Sequence, residues 1–239
     1  MSSPNIFLET LKKTTGARIG IGRAGLRYPT SAHLKFKQDL ATSRDAVRKN
    51  VSDDWVKKLG FLRLSSQATT RTEYLMNIQM GRNLSAESLK TLKSQLPHSS
   101  PDIVIICSDG LSSLAFENNV PQMLELMRTH VSDFGLTIFP PLYIDRARVA
   151  IIDQIGEILK PKAAIILLGE RPGLGTADSL SAYFEYSPCL ERVESDRNVL
   201  SNIHLNGIPP TEAALMLAEA LHHIIQIKKS GMSVRFEFT

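Results

Sequence analysis

The stretch Asp102-Ile-Val-Ile-Ile-Cys-Ser-Asp-Gly110 decides the fold class of this chain. Its run of mostly β-branched apolar residues is typical of a strand that is buried on both faces of a helix-covered parallel sheet. A second run, Ala163-Ala-Ile-Ile-Leu-Leu168, has the same character and is followed by Gly169-Glu-Arg-Pro-Gly-Leu-Gly175. We therefore expect two buried strands, each ending in a polar turn that contains glycine.

Around these two runs, strand and helix patterns alternate along the chain. The apolar spacing predicts further strands at 136–143 and, at the sheet edge, 182–186, with helices at 121–132, 147–159 and 210–229. Such alternation predicts an α/β fold with a doubly wound, mostly parallel, Rossmann-like sheet. Ligands of such sheets bind at the carboxyl ends of the strands, which points to Ser108–Gly110 and Gly169–Gly175.

The first hundred residues differ from the rest in net charge and in the pattern of apolar residues. Residues 1–101 contain 17 basic and 7 acidic residues, a net charge of +10, whereas 102–239 contain 11 basic and 17 acidic ones, a net charge of −6. The stretch Leu96-Pro-His-Ser-Ser-Pro101, with two prolines and three polar residues, indicates a boundary. We expect a basic, mainly helical region at 1–101, with at most a short strand at 17–21, and an α/β domain at 102–239.

Composition excludes several classes of protein. A chain of 239 residues buries enough surface to fold without disulfides or a structural metal. Its two cysteines, Cys107 and Cys189, form no CxxC motif, which favours a reducing compartment. We expect no signal peptide, and the apolar runs are too short to cross a bilayer. The six histidines form no metal-binding motif and GxSxG is missing, so we expect neither a metal site nor a catalytic side chain in this chain.

One literal GxGxxG motif lies at Gly20-Ile-Gly-Arg-Ala-Gly25. In a nucleotide-binding oxidoreductase this motif follows a buried strand and opens a helix. Here polar residues precede it and Pro29 follows shortly after, so a glycine-rich arm that faces an acidic surface is the favoured interpretation. A stand-alone nucleotide-binding oxidoreductase remains an alternative.

The turn Gly169–Gly175 has two interpretations. It lacks the Lys-Ser/Thr pair of a phosphate-binding loop. Gly173 and Gly175 would let a flat or bulky ligand approach the backbone closely, and Glu170 beside Arg171 offers an acceptor and a donor. The alternative is a tight turn with a solvated Glu–Arg pair.

The basic region also leaves two kinds of partner open. Clustered Lys and Arg side chains bind nucleic acid by counterion release. Aromatic residues are sparse in this region and are not interleaved with the basic ones as a stacking platform requires. A docking surface for an acidic protein accounts for the charge equally well.

Six strings, in order along nearly the whole chain, resemble the small (light) subunit of ethanolamine ammonia-lyase. They are Ala17-Arg-Ile-Gly-Ile-Gly-Arg-Ala-Gly25, Tyr74-Leu with Met80-Gly-Arg-Asn-Leu84, Val104-Ile-Ile-Cys-Ser-Asp-Gly-Leu-Ser112, Arg148-Val-Ala-Ile-Ile-Asp-Gln-Ile-Gly-Glu-Ile-Leu159, Gly169-Glu-Arg-Pro-Gly-Leu-Gly175 and Asp196-Arg-Asn-Val-Leu-Ser-Asn-Ile203. Six collinear strings are far more specific than any one of them.

The resemblance implies a subunit of an adenosylcobalamin-dependent lyase that converts ethanolamine to acetaldehyde and ammonia by a radical mechanism. It implies a hetero-oligomer in which the large (heavy) subunit holds the substrate and the catalytic residues, while the small subunit covers a cobalamin bound base-on at the interface. It further implies the bacterial cytoplasm. Longer members carry an N-terminal extension associated with a bacterial microcompartment, whereas only 16 residues precede the first string here.

The resemblance also implies cofactor contacts at Val149, Glu170 and Val199. Many relatives have cysteine at the position of Val199, so this residue is a departure from the family pattern. We expect Val149 to begin a helix whose N-terminal amides meet amide oxygens of the corrin, and Glu170 to end a strand and accept from corrin N–H groups. Together they would form one wall of a shallow cleft that a second chain closes against water.

Overall fold

The computed structural model describes residues 6–236, which form eight α-helices, two 3-10 turns and six strands. The helices are α1 Ile6–Thr14, α2 Thr30–Arg48, α3 Asp53–Lys58, α4 Arg71–Met76, α5 Ala86–Ser94, α6 Ser113–Asp133, α7 Ile151–Leu159 and α8 Pro210–Ile227. The strands are β1 Leu62–Ser65, β2 Ile103–Ser108, β3 Leu142–Asp145, β4 Ala163–Gly169, β5 Leu180–Tyr186 and β6 Asn198–Ile203. None of these helices is long and apolar enough to span a membrane.

The six strands form one mixed sheet in the order β1-β3-β2-β4-β5-β6. The first four strands in this order run parallel to one another. Strand β5 runs antiparallel to β4, and β6 runs antiparallel to β5, so β6 has the same direction as β4. The two apolar runs of the sequence, β2 and β4, lie next to each other near the middle and are buried at every residue. The α/β class and the mostly parallel sheet are thus confirmed.

Helices cover both faces of the sheet because side chains of a strand point alternately to either side. Ile103, Ile105 and Cys107 of β2 pack with apolar residues of α6 and α8 in one core. Val104 and Ile106 pack with residues of α5 and α7 in a second core. The continuous apolar runs are therefore needed to fill two cores at once.

The prediction that no strand precedes residue 100, apart from one at 17–21, was wrong. Residues 17–21 form no strand, since Gly20 lies at φ +61° in an irregular segment. Instead β1 pairs in parallel with β3, and the guanidinium of Arg63 donates to both carboxylate oxygens of Asp145 at 2.7 and 2.8 Å. A four-residue strand with an arginine inside it has no clear apolar pattern. The sheet therefore extends across the boundary expected near residue 101.

Several element boundaries also differ from the predictions. The helix expected to open at Pro121 begins at Ser113, because the Ser112 hydroxyl caps it by accepting from Ala115 N at 3.2 Å. Proline inside the helix forfeits one backbone hydrogen bond but leaves the buried face intact. The strand expected at 136–143 begins only at Leu142, after two prolines that cannot donate. The segment 182–186 belongs to β5, which lies inside the sheet and not at its edge.

Candidate functional site

Two adjoining cavities lie at the N-terminus of α7, and only the first reaches the carboxyl edge of the parallel strands. The first, here called the switch-point cavity, has a volume of about 420 Å³. The second, the β6 cavity, has a volume of about 340 Å³ and extends towards the outer strand of the sheet. Arg148, Val149 and Tyr183 line both cavities, Glu170 lines the first and Val199 the second. The fold thus brings together three residues that the sequence separates by up to fifty positions.

The switch-point cavity sits where the chain reverses its direction of winding. Strand β3 lies on one side of β2 and β4 lies on the other side, so the chain moves outward from β2 to β3 and then crosses back over β2 to β4. The turns after β2 and β4 touch there, since Leu111 N donates to the Gly169 carbonyl at 2.9 Å. Gly110 has φ +53°, and a Cβ on it would lie 2.6 Å from that carbonyl oxygen. The crevice at such a point is the usual ligand site of open α/β sheets.

Buried charges hold the turn after β2 in place. The Asp109 carboxylate, 1% exposed, accepts from Arg71 Nη1 at 2.9 Å and from Arg146 N at 3.0 Å. Burial raises the pKa of Asp109, and the attraction of Arg71 opposes that rise. Arg71 belongs to α4, so the N-terminal region directly supports the floor of the site.

Val149 lies immediately before α7. The expectation that it begins this helix was wrong by two residues, because α7 starts at Ile151 and Ala150 takes the N-cap position without a capping side chain. The Val149 carbonyl already accepts from Ile152 N at 3.1 Å. Val149 therefore presents a half-buried apolar side chain next to the uncapped N-terminus of α7.

Glu170 follows the last residue of β4, as expected, and is half-buried. Its Oε1 accepts from Ser181 Oγ at 2.5 Å and from Asn202 N at 3.1 Å. Burial by itself raises the pKa of this carboxyl, but these hydrogen bonds outweigh burial and leave the pKa below its usual value. Glu170 is thus an oriented, ionised acceptor rather than half of a solvated Glu–Arg pair.

Val199 lies on β6 at the outer edge of the sheet, and 54% of its surface is exposed. It is in register with Tyr183 of β5, which lies between the two cavities. Val149, Tyr183 and Val199 therefore form a mixed apolar and aromatic wall on the α7 face of β5 and β6.

Arg148 and Tyr74, which line the switch-point cavity, were not predicted as site residues from the sequence, and neither was Tyr183. Arg148 stacks on the Tyr74 ring at 4.0 Å and donates from Nη2 to the Tyr74 carbonyl at 2.8 Å. Its Nε–H is buried and meets no acceptor among the described residues. Both residues lie in strings that carried the family resemblance, but only the fold shows that they touch.

The glycine-rich segment Gly20–Gly25 does not have the context of a dinucleotide site. Within residues 6–236 it follows helix α1 rather than a strand, and its glycines 20, 22 and 25 all have positive φ. Beside it, Arg18 donates from Nη2 to the Leu174 carbonyl at 3.1 Å, and Ser43 Oγ donates to the Gly173 carbonyl at 2.8 Å. Side chains of the basic region therefore hold the turn after β4 through hydrogen bonds to the backbone of that turn.

The fold and the cavities define the class of open-sheet α/β proteins with a candidate ligand site at the carboxyl edge. The described residues contain no cluster of three His, Cys, Asp or Glu side chains placed to hold a metal ion. A family model of the ethanolamine ammonia-lyase light chain (EutC) matches residues 6–235, which is nearly the whole chain. The chain therefore belongs to the ethanolamine ammonia-lyase light chain family, whose members are subunits of a lyase.

Proposed function

We propose that this chain covers the adenosylcobalamin of an ethanolamine ammonia-lyase, with Val149, Glu170 and Val199 contacting the base-on cofactor at the interface with the large subunit. The ethanolamine and the catalytic residues belong to the large subunit in this proposal. The observation that carries it is that these three residues line two adjoining cavities, which share Arg148, Val149 and Tyr183. The family of the chain supports the choice of reaction.

The chemistry of the wall fits the rim of a corrin. That rim carries amide side chains, whose N–H groups need acceptors and whose carbonyls need donors. Glu170 offers an ionised acceptor held by Ser181, and Arg148 lines both cavities as a cation. Val149 and Val199 offer apolar contact to the macrocycle. When bound, adenosylcobalamin supplies the radical chemistry of the reaction by homolysis of its cobalt–carbon bond.

The shape of the site supports a role as one wall of a shared pocket. Cavities of about 420 and 340 Å³ suit a drug-sized ligand, whereas a corrinoid is much larger and would contact them only with its rim. A second chain is then needed to enclose the cofactor. Excluding water protects reactive species from side reactions, which gives the covering role a chemical purpose.

The N-terminal region offers a surface for that second chain. Leu26 and Tyr28 are 95% and 61% exposed, and they line a surface pocket together with Arg23 and Arg27. An apolar patch with basic side chains around it is typical of a docking surface for an acidic protein. We assign this region to docking of the large subunit. Encapsulation in a microcompartment stays a prediction.

The proposal is tested by purifying this chain alone and together with the large subunit. We expect turnover of ethanolamine only from the complex. In the complex, Glu170→Ala should raise the dissociation constant of cyanocobalamin about tenfold or more, a loss typical of a charge-assisted hydrogen bond. Glu157→Ala is the matched control, because Glu157 is an exposed carboxylate of α7 outside both cavities.

Two outcomes would contradict this reading. Turnover by the chain without its partner would refute the covering role. Dissociation of the Glu170→Ala complex on gel filtration, with unchanged cyanocobalamin affinity of the remaining complex, would show that Glu170 serves assembly and not cofactor binding.

A further inference from the structure

A buried cluster of charges adjoins the β6 cavity, which one of its members, Arg197, lines. Arg197 has a side chain that is 4% exposed, and its Nη2 lies 2.6 Å from each carboxylate oxygen of Asp153. Its Nε lies 3.1 Å from Oε2 of Glu185, whose side chain is fully buried, but the two atoms are not aligned for a hydrogen bond. One guanidinium thus lies between two carboxyl groups from different elements, hydrogen-bonded to Asp153 and in close contact with Glu185.

The three members of the cluster stand on the three segments that wall the cavity. Asp153 lies in the first turn of α7, four residues after Val149. Glu185 lies on β5, two residues after Tyr183, and Arg197 comes two residues before Val199. The cluster therefore ties together the backbones of the segments that carry the wall residues.

Such a cluster is a costly way to fill a core, since buried ion pairs are often no more stabilising than apolar residues of the same volume. Burial raises the pKa of Glu185 to about 8, with a further rise from Asp153 that the attraction of Arg197 and Arg192 opposes. This shift favours the protonated form of Glu185, and Arg197 chiefly neutralises Asp153. What the cluster provides is a fixed geometry, because the planar guanidinium binds a carboxylate in a defined orientation.

We propose that Arg197 is a positioning residue that fixes the distance between Val149 and Val199 by bridging Asp153 and Glu185. The width of the β6 cavity then depends on this bridge. The ligand of the β6 cavity rests on the proposed function, whereas the bridge itself does not depend on that proposal.

The experiment uses the complex with the large subunit and two readouts, amide hydrogen exchange and equilibrium binding of cyanocobalamin. For Arg197→Met, which leaves Asp153 buried and unpaired, we expect exchange to rise about tenfold or more in residues 148–153 and 197–200 together. We expect cyanocobalamin binding to weaken by about tenfold in parallel.

Two variants serve as matched controls. Arg82→Met removes another cation of the same cavity, but Arg82 pairs with the exposed Glu194 and touches none of the cluster. It should leave exchange in both segments unchanged. Glu185→Gln keeps a neutral side chain of the same shape and should change neither readout by more than about twofold at neutral pH. If Arg197→Met fails to fold, Arg197→Lys keeps the charge but cannot span both carboxyl groups, and the same rise in exchange is expected from it.

Exchange that stays at the native rate in residues 148–153 of the Arg197 variants would overturn the proposal. So would faster exchange with unchanged binding, because the bridge would then not set the cavity. If the native complex binds no cyanocobalamin at all, the proposed function fails while the exchange experiment still tests the bridge.

Discussion

Replacement of Gly110 by alanine tests the contact on which the switch-point cavity is built. Gly110 lies in the turn after β2 with φ +53°, and the turn after β4 passes directly beside it. A Cβ at this position would stand 2.6 Å from the oxygen and 2.9 Å from the nitrogen of Gly169. Both are backbone atoms of a buried strand, so they cannot move aside as a flexible side chain would.

The expected loss of stability has two parts. A left-handed conformation costs an L-residue about 1–2 kcal/mol. Forcing a methyl group into a packed site costs about 1–3 kcal/mol more. Gly110→Ala should therefore lower the free energy of unfolding by about 2–5 kcal/mol, out of the roughly 5–15 kcal/mol of a typical domain.

Urea unfolding of the full chain, followed by circular dichroism, measures this loss as a shift of the midpoint. Two further glycines separate its parts. Gly135 has φ +72° with nothing within 4 Å, so Gly135→Ala should show the conformational cost alone. Gly175 has open space and no positive φ, so Gly175→Ala should lie within about 0.5 kcal/mol of the native chain. A loss in Gly110→Ala no larger than that in Gly135→Ala would refute the close approach of the two turns.

Three further predictions concern buried or oriented charges. Because the native state holds a proton on Glu185 that the unfolded chain releases, stability should fall as the pH rises from about 5 to 8, by up to about 1.4 kcal/mol per pH unit. In Glu185→Gln the urea midpoint should no longer fall as the pH rises across this range. An unchanged pH dependence would contradict the raised pKa of Glu185. Arg71→Met should cost about 3–5 kcal/mol in urea unfolding, since it leaves the buried Asp109 carboxylate without its cation, and Asp109→Asn in the same chain should restore part of the loss. Ser181→Ala removes the 2.5 Å hydrogen bond to Glu170 and should raise the pKa of that carboxyl, measured by carbon NMR of labelled glutamate; an unmoved pKa would show that the bond is not what lowers it.

The sequence predicted the fold class because its signal is local and strong. The apolar runs of β2 and β4 are continuous over more residues than chance supplies, and each must be buried on both faces. The same local signal placed Glu170 at the end of a strand. The resemblance to the light chain family also rested on strings that are each local, and the family match over residues 6–235 confirmed it.

Local sequence patterns failed to predict elements whose formation depends on long-range contacts or on capping. Strand β1 is short and contains Arg63, and it exists because that guanidinium pairs with Asp145, 82 residues away, while its backbone pairs with β3. Pro121 does not open a helix because the Ser112 cap and the buried face of α6 outweigh one lost hydrogen bond.

The sequence alone therefore determined the kind of sheet, the turns that end its central strands and the family of the chain. Only the tertiary structure decided how the candidate site is assembled. The strand order places the turns of β2 and β4 in contact, and the fold brings Arg197 within reach of Asp153 on α7 and Glu185 on β5. The physical reason is that burial depends on local composition, whereas the pairing of charges depends on which distant segments the fold brings within hydrogen-bonding distance.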